Sequence, residues 1–174
     1  MTRRSIITLA GATALVVGAL AAAGCGGSGG SSAKSPTPPK TASGQSATVG
    51  VANEQVGKIL VDSKGRTLYL FERDAGTKSA CTGACAVQWP PLRATGKPTV
   101  GSGANAAVVA TTTRSDGKPQ VTYNGHPLYR FSFDKKAGDT NGQGVNAFGG
   151  LWYVLSSSGA AVTTPAGNGG GFGY

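Results

Sequence analysis

Histidine and methionine each occur once in these 174 residues, cysteine occurs three times, and only seven residues are acidic. Each shortage excludes some chemistry. His126 and two spare thiols fall short of the four ligands of a closed zinc site. Gly26-Gly27-Ser28-Gly29-Gly30 spells G-x-S-x-G only through the Gly/Ser-rich composition around it, with no strand or helix pattern to make an elbow, and no phosphate-binding loop or H-E-x-x-H pair is present, so no motif indicates an enzyme or a cofactor. Basic residues are scattered, with no adjacent run longer than Lys135-Lys136. A nucleic-acid interface needs a concentrated basic patch and a recognisable module, so no nucleic-acid partner is expected.

There is one long apolar run, Ile6 to Ala23, preceded by Arg3-Arg4 and ending in Ala22-Ala23-Gly24-Cys25. A basic start, an apolar middle and a small-residue end are the layout of a secretory signal peptide, here residues 1–24. The small residues before Cys25 resemble a bacterial lipobox, although Ala22 stands where leucine is usual. The resemblance implies a diacylglycerol on the Cys25 thiol, cleavage before it, and a protein lipid-anchored at the outer, extracytoplasmic face of the cell membrane. A retained transmembrane anchor is the alternative, since the run is near the minimum spanning length. Residues 25–47 are, beyond Cys25 and Gln45, only Gly, Ser, Thr, Pro, Ala and Lys with little to bury, the composition of a flexible tether. Residues 48–164 have the length and apolar content of one domain, and residues 165–174 form a Gly-rich tail. Removing Arg3, Arg4, Lys34 and Lys40 from the formal +9 leaves 9 − 4 = +5 on the folded segment. A diffuse positive surface suits anionic headgroups or an envelope polymer.

The domain uses one pattern twice. Gly65-Arg66-Thr67-Leu68-Tyr69-Leu70-Phe71-Glu72-Arg73-Asp74 and Gly125-His126-Pro127-Leu128-Tyr129-Arg130-Phe131-Ser132-Phe133-Asp134 both read G-x-x-L-Y-x-F-x-x-D, and each is followed by a Gly-rich stretch and a Trp. The two repeat units run over about 56–95 and 117–159. Alternating apolar residues flank Asp62-Ser63-Lys64-Gly65 and Asn124-Gly125-His126-Pro127, which predicts hairpins, with strands over Lys58–Val61, Arg66–Phe71, Val121–Tyr123 and Leu128–Phe133. Ser115–Pro119 predicts a further turn after a strand over Val108–Thr113, Leu151–Leu155 a late strand, and Ala80–Val87 a short helix. The expected fold is all-β, a compact sandwich or barrel-like domain built from two related repeat units.

Strand alternation puts Tyr69 and Phe71 on one face, with Leu68 and Leu70 on the other; Tyr129, Phe131 and Phe133 likewise lie opposite Leu128 and Arg130. The shared aromatic face is expected to enter the core, each Tyr hydroxyl bonding near its edge. Asp74 and Asp134 fall at the strand ends, where an Asp caps a turn by accepting backbone N–H bonds. A ligand role for Tyr69, Asp74, Tyr129 and Asp134 is the other reading. A glycosidase-like acid and base pair is disfavoured, because equivalent surroundings would not push the two pKa values apart. Trp89 and Trp152 are expected in the core rather than on a carbohydrate-binding surface.

The chain resembles a family of predicted bacterial lipoproteins described as a secreted repeat of unknown function and recognised by Y-x-[FWY]-x-x-D. Tyr69 to Asp74 and Tyr129 to Asp134 satisfy the motif, and Cys81-Thr82-Gly83-Ala84-Cys85-Ala86, Trp89-Pro90-Pro91-Leu92 and Gly138 to Gly144 are similar to its recurring blocks. The resemblance implies an address and a duplicated domain, and brings no catalytic residues.

With Cys25 reserved for lipid, Cys81 and Cys85 remain as a pair in a compartment that permits oxidation, and a disulfide is expected. A redox role is the sharper alternative, although the spacing is not C-x-x-C. Asp139, Asn141 and Gln143 place oxygens at alternating positions, as at the start of an EF-hand loop, yet the twelfth position is Gly150 rather than an acid; an ordinary Gly-rich turn competes with metal binding there. The leading functional expectation is a non-catalytic envelope lipoprotein, bound to the membrane through its lipid and to an envelope polymer or protein. An accessory role in extracytoplasmic redox or metal handling is the alternative.

Overall fold

The computed structural model describes residues 46–165; the leader, Cys25, most of the tether and the tail beyond Pro165 lie outside them. The domain is all-β. Its strands are β1 (Thr48–Glu54), β2 (Gly57–Val61), β3 (Tyr69–Phe71), β4 (Thr99–Val100), β5 (Val109–Thr113), β6 (Pro119–Tyr123), β7 (His126–Pro127), β8 (Asn146–Ala147) and β9 (Gly150–Val154), with a short α-helix, α1 (Ala84–Gln88), and a 3-10 turn over Ala106–Val108. They form three three-stranded sheets, ordered β2-β1-β4, β3-β9-β8 and β5-β6-β7. Among the described residues no helix is long and apolar enough to cross a membrane.

Each repeat opens with an antiparallel hairpin, β1–β2 in register Val51↔Leu60 and β5–β6 in register Thr111↔Val121. After β2 the chain turns back through Asp62–Gly65, and after β6 it does so through Asn124-Gly125 alone, with φ of 47° and 82°, so His126 and Pro127 belong to a strand rather than to the predicted turn. Two successive positive φ values give the two-residue turn whose twist matches the strands, and Asn-Gly is the dipeptide that tolerates it best.

The predicted strand Leu128–Phe133 is not a regular one. Its segment does lie beside Gln88–Pro91, with Arg130 N donating to Pro90 O (2.9 Å) and Ser132 N to Gln88 O (2.9 Å). Prolines have no N–H to return, so Pro90 and Pro91 leave the ladder one-way. Phe133, expected on the aromatic face, is 53% exposed because the chain has already turned toward Asp134, whose N–H bonds Phe131 O. Strand β1 extends N-terminal to the hairpin that sequence periodicity had marked, and it also pairs with β4 in parallel.

The repeats are threaded through each other. Leu68 N donates to Leu60 O, Leu60 N to Leu155 O, and Leu155 N to Leu68 O, closing a three-residue ring of backbone bonds. Leu128, Val121 and Leu92 close the equivalent ring. Two members of each ring come from one repeat and the third from the other. All six residues are fully buried and pack in one cluster with Val49, Leu70 and Tyr123. The opposite faces of the same segments carry Tyr69, Phe71, Tyr129 and Phe131 into a second, aromatic cluster with Trp89 and Trp152. The predicted alternation therefore holds, with both faces buried.

Candidate functional site

The motif residues meet where the repeats cross. Tyr69 and Tyr129 exchange both backbone bonds, N to O at 2.9 and 3.0 Å. Their side chains then reach past each other. Tyr69 Oη donates to Asp134 Oδ2 at 2.7 Å, and Tyr129 Oη donates to Asp74 Oδ2 at 2.8 Å. Each tyrosine is thus bonded to the aspartate of the other copy, deep in the domain rather than at the sheet edge.

Behind the pairs runs a column of four stacked rings. Phe71 lies on Trp152 (centroids 4.1 Å apart), Trp152 on Trp89 (3.9 Å) and Trp89 on Phe131 (4.1 Å). Tyr69 meets Trp89 edge-on at 5.4 Å, and Tyr129 meets Trp152 edge-on at 5.1 Å. Both tryptophans are fully buried, so neither presents a sugar-stacking surface. Stacked and edge-to-face rings add attraction beyond the area they bury, so this column joins the copies directly, alongside the leucine-rich cluster.

The second oxygen of each aspartate ties down the loop that follows it. Asp74 Oδ1 accepts from Ala80 N at 2.8 Å, and Asp134 Oδ1 accepts from Asn141 N at 3.0 Å and Asn141 Nδ2 at 3.2 Å. The capped amides are six and seven residues away, so each carboxylate closes a whole loop instead of an adjacent turn. Burial raises both carboxyls from 3.8 to about 6, against the pull of their tyrosine and amide donors. Burial, with the neighbouring carboxylate, also raises both tyrosines.

The loops themselves differ. The first contains the Cys81–Cys85 disulfide, with Cα atoms 5.2 Å apart, leading into α1. Arg114, 5% exposed, braces this loop from β5's end: Nη1 bonds Ser79 Oγ and Gln120 Oε1 (both 2.7 Å), and Nη2 bonds Cys81 O (2.5 Å). The Ser79 hydroxyl lies 2.7 Å from Tyr129 Oη and donates to it, since the single phenolic proton goes to Asp74. The second loop has no covalent link. Asp139 Oδ2 accepts from the amides of Lys135 (2.8 Å) and Lys136 (3.0 Å), and Asn141 serves Asp134. Gln143 Oε1 accepts from Val154 N at 2.9 Å while its amide bonds Val162 O and Thr164 O. Asp139 Oδ2 and Gln143 Oε1 are thus engaged with backbone donors while Asn141 uses its amide nitrogen, and no group of three or more His, Cys, Asp or Glu side chains among the described residues is arranged to hold an ion. Gly142 is buried there, and a Cβ on it would fall 2.8 Å from Trp89 and 2.9 Å from Tyr69.

Sequence reasoning missed a polar anchor on the outer side of the repeat crossing. Asp62, whose side chain is 1% exposed, accepts at Oδ1 from the amides of Lys64 (2.8 Å) and Arg66 (3.1 Å). Its Oδ2 accepts from Arg66 Nη2 (2.9 Å), Arg66 Nε (3.1 Å) and Arg130 Nε (2.6 Å). Burial opposes its ionisation, but the two amides and Arg130 outweigh that and hold the carboxyl below its ordinary range. Asp62 was legible as a turn residue; nothing in the linear pattern pointed to Arg130 as its partner, or to the separate buried bond between Arg114 and Gln120.

Two Tyr–Asp pairs exchanged between copies and one shared aromatic column define a duplicated, interlocked all-β domain. A family model described as a secreted repeat of unknown function matches residues 50–93 and 110–156, more than half of the chain. The chain belongs to that family. Each match begins on the strand that precedes the motif hairpin, β1 or β5, and ends just after the segment that joins the other copy. Neither the curated proteins nor the solved structures contain a match.

Proposed function

We propose that this is an envelope lipoprotein, anchored at the extracytoplasmic face by a lipid on Cys25, whose repeat domain is a non-catalytic binding or structural module. One observation carries the reading: the repeated tyrosines and carboxylates bond each other across the copies, so the motif is spent on joining the halves. The family's description as secreted supports an extracytoplasmic site of action. The burial of Cys81 and Cys85 favours a structural bridge over the accessory redox reading, because exchange needs an attacking thiolate to reach a sulfur.

The test is Cys25→Ala in the intact chain. The parent is expected in the membrane fraction with the mass of a cleaved, diacylated protein, whereas the variant should keep its leader and lack the lipid mass. Two or more acyl chains give stable anchoring where one gives only marginal binding. Identical masses for parent and variant would remove the lipoprotein reading.

A further inference from the structure

On the outer side of the crossing lies an open groove of about 710 Å³, lined by Ser46, Thr48, Ser63, Pro91, Arg93 and Arg130 among others. Arg130 uses only its Nε in a side-chain bond, to Asp62; neither Nη meets an acceptor among the described residues. Arg93 gives Nη2 to Asp116 at 3.0 Å, and its Nη1 is covered by protein atoms with no partner. The Arg93–Asp116 contact is exposed on both sides, and such pairs are worth little, so Arg93 is free to turn toward the groove. Arg130 is held in place: a carboxylate buried behind it and shared with Arg66 fixes its direction before any ligand arrives.

We propose that this groove binds a phosphodiester group. The guanidinium groups of Arg66, Arg93 and Arg130, with Arg114 Nε 3.7 Å from Asp116, outnumber the two carboxylates they face, Asp62 and Asp116, so the balance of charge here is positive. A diester carries one negative charge, and its two free oxygens suit forked N–H donors. The hydroxyls of Ser46, Thr48 and Ser63 fit the polar groups of glycerol or sugar beside the phosphate, and Pro90 and Pro91 supply an apolar wall for its carbons. The inference deepens the binding-module reading by naming its ligand class. The chain enters the domain at this groove, and Cys25 precedes Ser46 by 46 − 25 = 21 residues. That length spans at most about 70 Å when fully extended, so an anchored protein would keep the groove near the phosphodiesters of lipid headgroups or surface polymers.

The experiment uses the full chain. In nonionic detergent, a glycerol-phosphate oligomer is titrated calorimetrically against the parent, Arg130→Gln and Arg130→Lys, with a neutral oligosaccharide as control. In nanodiscs of phosphatidylcholine with or without phosphatidylglycerol, amide exchange is followed over residues 46–48 and 128–131. Saturable oligomer binding that falls at least about tenfold in Arg130→Gln and partly recovers in Arg130→Lys assigns a polymer source. Protection that appears only with phosphatidylglycerol and is lost in Arg130→Gln assigns a lipid source, and both responses together assign the shared phosphodiester. Absence of both in a chain with parental melting temperature overturns the proposal, as does binding that ignores Arg130 or is matched by the neutral sugar. The detergent titration does not depend on anchoring, so an unmodified Cys25 would defeat the lipoprotein reading and leave this result standing.

Discussion

In the first repeat, the strand carrying Tyr69 and Phe71 lies beside Gly150–Val154 and forms a full antiparallel ladder, Tyr69↔Val154 through Phe71↔Trp152. In the second, the segment carrying Tyr129 and Phe131 lies beside Gln88–Pro91 and gives amides to it without receiving any from the prolines. The interior contacts are nevertheless the same in kind: a ring stack, an edge-on tyrosine and a Tyr–Asp bond on each side. The second half makes up for its weaker ladder through the first half's following loop, which is closed by a disulfide and braced by Arg114. The first half's tyrosine instead meets a loop without a covalent link, held by side-chain and backbone hydrogen bonds and by close packing at Gly142. Side-chain contacts across the crossing were kept in common while the backbone and loops around them diverged.

The largest test of that equivalence is to cut the ring column from either side. Trp89→Ala and Trp152→Ala each remove a fully buried indole, and each should destabilise the fold by about 3–5 kcal/mol in denaturant unfolding. The phenylalanine variants separate the halves. Trp152 Nε1 donates to Ala147 O at 3.2 Å, whereas Trp89 Nε1 is buried without a partner. An unpaired buried donor carries a desolvation penalty, so Trp89→Phe should cost less than Trp152→Phe. Equal costs would show that the two indoles are alike in energy despite the difference in bonding.

Removing a hydroxyl comes next. Tyr69→Phe takes the donor from Asp134 and the acceptor from Gly142 N, which approaches Tyr69 Oη at 3.3 Å. Tyr129→Phe takes the donor from Asp74 but leaves Ser79 bonded to Arg114. Both should lose about 1–3 kcal/mol, with Tyr69→Phe the more costly. A double-mutant cycle of Tyr69→Phe with Asp134→Asn should show coupling, while Tyr69→Phe with Asp74→Asn should be closer to additive. The reverse pattern would mean that each tyrosine depends on its own copy's aspartate.

The covalent difference between the loops is smaller. The bridge spans a sequence separation of four, and a ring that short constrains the unfolded chain by about 2 kcal/mol on the entropy model. Replacing both cysteines with serine should lower the melting temperature and raise exchange at Ala80, the residue that Asp74 ties down. The loop from Asp134 to Gly144 should be unaffected. Loss of order in both loops together would contradict their separate bracing.

The sequence made the alternation of faces readable because Leu-Tyr-x-Phe places apolar residues on both sides of one strand, and burial of both faces preserved that period. The duplication was readable for the same reason, and so was the disulfide, since Cys81 and Cys85 were left as a pair. Which copy each aspartate would serve was not readable. Proximity in the chain links Tyr69 to Asp74, and only the crossing of the repeats exchanges the partners. The irregular Leu128–Phe133 segment failed as a strand because its defect lies in its neighbour, Pro90-Pro91, some forty residues earlier. The groove was invisible for a related reason: Ser46, Ser63, Arg93 and Arg130 share no local spacing and come together only through tertiary pairing.

The smallest expected effect is in the pH profile, and it distinguishes a capped carboxylate from one carried at a cost. A cap that favoured the charged form would depress the carboxyl's pKa, and stability would be lost on acidification. Asp74 and Asp134 are shifted the other way, from 3.8 to about 6, because burial outweighs the donors around them. Between these values the folded protein binds protons that the unfolded chain does not, so stability must decrease as pH rises through about 6 and be greatest below it. Asp62 opposes this only at lower pH, since its carboxyl is held below the ordinary range and its contribution is lost as that carboxyl protonates. The melting temperature should therefore rise from neutral pH to about pH 4–5 and fall again below that. Asp74→Asn and Asp134→Asn each carry no charge to bury, so each should flatten part of the slope between about pH 4 and 7, and the double variant most of it. At neutral pH the amide replaces a buried charge but keeps one accepting oxygen where two are used, so its net effect there should be small. A parent whose melting temperature stays level or increases from about pH 5 to 7 would show that the donors from Tyr69, Tyr129 and the loop amides outweigh burial, and that these carboxylates cap the loops in their charged form.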